Sequence, residues 1–132
     1  MKFTPLYASE LNNETDKSLT VRYEAGHTIG AVTVSEGYLF IKKGLRRYYI
    51  AYEAAQKIFR RVRRLHANIC CGDGDIEVDY LVVMADDREL IEVTLPGRKA
   101  AKQLMEEIRE AAPSLDTTAP VRADAEDEEE AV

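Results

Sequence analysis

Residues 53–66, Glu-Ala-Ala-Gln-Lys-Ile-Phe-Arg-Arg-Val-Arg-Arg-Leu-His, decide the fold, because two different periods fit them. Ala54, Ile58, Val62 and Leu65 recur at helical spacing, yet Ile58 and Val62 also share one face of a strand. Intrinsic propensity favours a helix. The neighbours favour a strand. Asp75, Glu77 and Asp79 line one face of the next segment, and an antiparallel hairpin would set Arg61 and Arg63 opposite them. Opposite charges paired across a ladder contribute roughly 0.2 to 1 kcal/mol each. From sequence, both readings of 53–66 stay open.

Working outward, the surrounding segments are easier to read. Asn68, Gly72, Asp73 and Gly74 mark a loop, and Gly72-Asp-Gly-Asp fits a hairpin turn. Ile76, Val78, Tyr80, Val82 and Met84 then alternate as the clearest strand in the chain. Asp86, Asp87 and Arg88 turn it, and Leu90 to Leu95 returns as its partner. Pro96 suits a first helical turn, where a missing amide is tolerated. Ala101, Leu104, Met105, Ile108 and Ala112 next mark the apolar stripe of an amphipathic helix closed by Pro113. Upstream, the runs Ile29–Val34 and Tyr38–Ile41 flank Ser35, Glu36 and Gly37 as a hairpin. After the turn at Lys42, Lys43 and Gly44, Tyr48, Ile50 and Tyr52 share one face of a third strand. Leu19, Val21 and Tyr23 alternate with Thr20 and Arg22, which predicts a further short strand ended by Gly26.

At 132 residues the chain holds one core. Its net charge of -6 resides in the last segment: from Asp116 onward seven acids face one base, whereas residues 1–115 carry 17 of each. The expected organisation is an irregular lead-in over 1–17, a folded domain over 18–113 and a disordered acidic tail over 114–132. Cys70 and Cys71 are adjacent, which suits neither a disulfide framework nor a zinc site and reads as reduced thiols. The start, Met1 to Glu10, lacks the apolar run of an export signal, and the longest apolar run, Tyr80 to Ala85, is too short to span a bilayer. A soluble, cytoplasmic protein without a transmembrane segment or cofactor is expected.

Several antiparallel strands followed by one terminal amphipathic helix resemble the pleckstrin-homology-like superfold. The stretch Ala31 to Ile41 is similar to the first hairpin of bacterial pleckstrin-homology and GRAM-type domains, Tyr49 to Glu53 with Ile58 and Val62 to their third strand, and Asp86 to Leu95 with the helix from Arg98 to their close. The resemblance covers about residues 28–112. It implies a mainly β, α+β fold: an antiparallel barrel or sandwich of about six to seven strands capped by one C-terminal helix. It also implies a non-catalytic module that docks a protein partner, a lipid headgroup or another anionic ligand. Phosphoinositide-binding members usually carry a lysine followed by Arg-x-Arg or Lys-x-Arg, whereas Arg46 and Arg47 here are adjacent.

Nine bases and one acid lie between Lys42 and Arg64. Lys42, Lys43, Arg46, Arg47, Arg60, Arg61, Arg63 and Arg64 are therefore the candidate ligand-binding face, which would steer anionic partners towards it. The acidic tail would modulate access by competing for it. The alternative is a solvated sheet face neutralised by the acids at 75–79. Nucleic-acid binding, with Tyr48, Tyr49 and Tyr52 as stacking groups, is a second class, against which the neutral body argues. A Cys-dependent enzyme using Cys70 or Cys71 with His66 is a third. Asp73, Asp75, Glu77 and Asp79 have alternate spacing like a calcium loop, but Val78 and Met84 fall where glycine and glutamate are needed, so no metal site is expected. Exposed strand edges leave pairing into a homodimer as a further expectation.

Overall fold

The computed structural model describes residues 1–7, 14–69 and 72–120, with the side chains of 66–69 and 72–75 outside that description. In chain order its elements are β1 (Thr4–Pro5), α1 (Asp16–Ala25), β2 (His27–Ile29), β3 (Val32–Val34), β4 (Tyr38–Lys43), β5 (Arg46–Ala51), β6 (Lys57–Ile69), β7 (Gly72–Ala85), β8 (Arg88–Thr94) and α2 (Arg98–Ala111). The fold is of the α+β class, with five strands ordered β1-β5-β4-β3-β2 in sheet A and three ordered β6-β7-β8 in sheet B.

The ambiguous stretch is a strand. After a short 3-10 turn at Tyr52–Ala54, residues from Lys57 onward pair antiparallel with β7. The neighbouring residues Ile58 and Phe59 point to opposite faces, and both are buried. The register, however, is one residue off the sequence expectation. Arg61 faces Tyr80 and Arg63 faces Val78, while Arg64 faces Glu77. A one-residue shift exchanges the two faces of a strand, so Arg61 and Arg63 are turned away from the acids of β7.

Among the described residues, three of the hairpin connections are two-residue turns. Gly30 and Gly44 each take a positive φ, at 61° and 65°, as the first central residue of a two-residue turn. Gly30 interrupts the expected run Ile29–Val34, dividing it into β2 and β3. A Cβ on Gly30 would lie 2.8 Å from Pro96 Cδ, so glycine is required there twice over. At the third turn Asp86 and Asp87 both adopt positive φ, 55° and 60°, which Asp tolerates better than most residues.

The segment predicted as a strand at 19–23 is helical. Thr15 caps α1 by accepting from the Ser18 amide at 3.2 Å, and Asp16 sits in the first turn, where a negative charge suits the helix dipole. Leu19 and Tyr23 are four residues apart and face sheet A, whereas Val21 is 65% exposed. The alternation of apolar residues there is therefore incidental. The lead-in is also partly ordered: β1 pairs in parallel with β5, and Phe3 is buried. Pro96 precedes the N-cap Gly97 and lies outside α2. Residues 114–120 are placed against the domain, Asp116 forming a parallel bridge with Lys57. The acidic run 124–130 lies outside the described residues.

Two core clusters flank sheet A, where the chain length predicts one. On the outer face Phe40 meets Phe3 and Tyr23, each with ring centroids 5.3 Å from its own, and Leu19 packs beside them. On the inner face Leu39, Ile41 and Ile50 join Ile58, Leu81 and Val83 of sheet B. The helix stripe Ala101, Leu104, Met105 and Ile108 is buried in that same inner cluster, as the sequence period predicts. Burying each large aliphatic side chain contributes about 1.5 to 3 kcal/mol.

Tyr52 is buried in the inner core, and its phenol is pushed above the usual tyrosine range. Burial is the main cause; the Ser35 backbone opposes it, and the charge of Glu107 adds to it. The folded state thus favours the protonated phenol. Its contribution to stability is complete below about pH 10 and declines as the pH rises beyond it. Urea unfolding at stepped pH from neutral to alkaline should show stability falling above that point. Tyr52→Phe is expected to reduce the slope, leaving the part due to Tyr38 and Tyr49, which burial also raises. An unchanged slope in the variant would exclude Tyr52 as a source.

Candidate functional site

The eight bases proposed from sequence as one face are divided by the structure into two sets. The first set is the arginine ladder of β6, and all four of its members are paired with acids. Arg60 donates from Nε to Asp79 Oδ1 at 2.6 Å, and Asp79 is only 4% exposed. Arg64 pairs with Glu77 at 3.1 Å. Arg61 and Arg63 lie on the other face and reach across β7 to β8: Arg61 binds Glu89 and also Glu92 at 2.9 Å, and Arg63 binds Glu92 at 2.9 Å. The guanidinium of Arg61 covers the Phe59 ring at 5.5 Å, and that of Arg63 covers Tyr80 at 5.4 Å. The hydrogen bond to Glu89 is the largest cause raising Arg61 above the ordinary arginine value, with burial opposing it and Glu92 adding to it. Sheet B thus resembles the neutralised alternative, although its acids come from β8 as well as β7.

The second set sits on the β4–β5 hairpin. There Lys42 is directly opposite Arg47, and Lys43 directly opposite Arg46. Like charges facing each other across a ladder destabilise it. Among the described residues none of these four cations is paired with a carboxylate. Lys43 Nζ instead donates to the backbone carbonyl of Glu92 at 2.8 Å, and Arg47 stacks over the Tyr23 ring at 5.7 Å. At the end of the hairpin Leu45 is fully exposed, at 101%. No sequence signal marks Leu45, because a single leucine between basic pairs has no periodicity.

The remaining candidates are dispersed. Tyr49 and Tyr52 are buried in the two cores, which removes them as a stacking platform. His27 is bound through Nδ1 to Glu107 at 2.7 Å, tying β2 to α2. Among the described residues, two of the clefts beside α2 also involve neighbouring elements. One of about 460 Å³ lies between Arg60, Lys102, Arg109 and Thr117, and one of about 540 Å³ lies between Tyr52, Gln56, Ala112 and Leu115. Neither contains a histidine or cysteine. Among the described residues no group of three His, Cys, Asp or Glu side chains could hold a metal, and Glu77 and Asp79 are engaged by arginines. Cys70, Cys71 and the side chains of His66, Asp73 and Asp75 lie outside the described residues. No helix among them is long and apolar enough to cross a membrane. Comparison with protein-family models, with curated proteins and with solved structures found nothing that matches this chain.

Proposed function

We propose that this chain is a non-catalytic docking module that recognises an anionic partner through the β4–β5 hairpin, with Lys42, Lys43, Arg46 and Arg47 as the contacting cations. The observation that carries this reading is the pair of like-charge rungs, Lys42 with Arg47 and Lys43 with Arg46. Such an arrangement costs the isolated domain free energy and is offset when an external anion supplies the missing counter-charge. Four consecutive antiparallel strands, then three, then a helix whose apolar stripe joins the inner core support a pleckstrin-homology-like barrel as the scaffold. The acidic segment 124–130 acts as a competing ligand in cis.

Immobilised heparin serves as a generic polyanion for the test. Arg46→Glu with Arg47→Glu should weaken binding by about 30-fold, taking about 1 kcal/mol per basic residue near an anionic surface. Arg64→Gln, in the neutralised ladder, should change it by less than about 3-fold, the size of a weak exposed ion pair. A chain ending at Pro120 should bind more tightly than the full chain at low salt. Equal effects from hairpin and ladder variants would refute the assignment, and equal binding by the shortened chain would remove the role of the tail.

A further inference from the structure

Building on that docking reading, we infer that the anionic partner is a lipid bilayer surface and that Leu45 inserts into it. The turn Gly44-Leu45 has its positive φ at Gly44 alone. Its second position then favours Asn, Asp or Ser. Leucine is not demanded by the turn, and its side chain, at 101% exposure, is not demanded by the core.

The geometry around it is ordered by chemistry. The first rung behind the tip is Lys43 with Arg46, on the face turned towards sheet B, and the second is Lys42 with Arg47, on the face turned towards α1. Cations therefore stand on both faces of the hairpin, one and two residues behind a single apolar point. One residue of strand advances about 3.3 Å, so the apolar point leads the charges by a distance comparable to a headgroup layer. A bilayer offers the same sequence in depth: anionic phosphates outside and hydrocarbon beneath.

Other anionic partners match only half of this arrangement. Phosphates of a nucleic acid would satisfy the cations but leave the leucine in water, and an acidic protein would need a pocket shaped for it. Membrane binding through one aliphatic side chain and four cations is reversible, because a single small anchor gives only marginal partitioning. The described α2 and sheet B are not needed for the contact.

The test uses the full chain and sedimentation with vesicles of phosphatidylcholine, with and without phosphatidylserine. Binding should require phosphatidylserine and weaken with salt. Leu45→Ser should reduce partitioning into these vesicles about tenfold, the loss expected for one buried aliphatic side chain, while heparin binding stays unchanged. Leu45→Trp introduces the sole tryptophan of the chain, and its emission should shift to the blue with anionic vesicles but not with heparin. Full vesicle binding by Leu45→Ser, together with no spectral shift of Leu45→Trp, would overturn insertion and leave the docking reading standing. If Arg46→Glu with Arg47→Glu weakens neither heparin nor vesicle binding, the docking reading itself falls. An RNA oligonucleotide bound more tightly than the vesicles, independently of Leu45, would also overturn the bilayer as partner.

Discussion

Phe40→Ala should lower the stability of the domain by about 3 to 5 kcal/mol, the range for deleting a large buried aromatic side chain. Phe40 is 1% exposed and is the centre of the outer core, touching Phe3, Tyr23 and Tyr38. Its ring thus links Phe3 of the lead-in to Tyr23 of α1. Helix α1 has almost no amphipathic character of its own, and Leu19 is its single buried residue. Its place on sheet A therefore depends on the aromatic cluster. Urea unfolding should show the lowered midpoint, and limited proteolysis should cut within 16–25 before the rest of the domain. Phe40→Leu should recover more than half of the loss. A loss below about 1 kcal/mol for the alanine variant would mean that the outer core collapses to fill the gap.

Arg61→Ala should be the second most damaging change, at about 2 to 3 kcal/mol. Removing one partner of a buried ion pair costs 3 to 5 kcal/mol, and the smaller figure reflects Glu89 and Glu92 being 40% and 28% exposed, so that water takes over part of their solvation. Two effects combine: the carboxylates lose their shared cation, and Phe59 loses the guanidinium that covers it. Arg61→Met separates them, since it restores the cover without the charge and should cost about half as much. Adding Glu92→Gln to Arg61→Met removes the repulsion between the two acids but also the Arg63–Glu92 pair, so it should change stability by less than about 1 kcal/mol. Denaturant midpoints of the three variants check this. If alanine and methionine at 61 cost the same, packing over Phe59 contributes little.

What was legible in the sequence follows from which signals are local. The stripe of α2 is periodic over enough residues for one pattern to dominate and stands as read, whereas the three-strand meander expected over 28–52 has four strands, because Gly30 splits its first run and Tyr52 falls in the 3-10 turn after β5. Over 19–23 the pattern is only three residues long, and the capping residue Thr15 outweighs it. Strand β6 was undecidable because its arginines fit either period, and its register depends on the position of the turn, which lies outside the sequence of the strand itself. The neutralisation of Arg61 was hidden for a further reason. Glu89 and Glu92 are three residues apart, an odd spacing that would place them on opposite faces of a regular strand. The irregularity at Val83/Met84 shifts the register of β8, so that Glu92 pairs with Val82 and Glu89 with Met84, and both acids share the face of Arg61. Nothing in the acids' spacing announces that bulge. The division of the basic run into a satisfied ladder and an unsatisfied hairpin could therefore emerge only from three-dimensional pairing.

The lengths of the outermost strands also bear on how copies of this chain could polymerise. Sheet A is rimmed by stubs of two and three residues, β1 and β2, too short to template a fibre along that sheet. Sheet B is bounded by strands of thirteen and seven residues, β6 and β8. Ribbon-like growth would have to start there, and at β6 it would first have to displace Asp116, whose carbonyl already accepts the Ile58 amide at 3.1 Å.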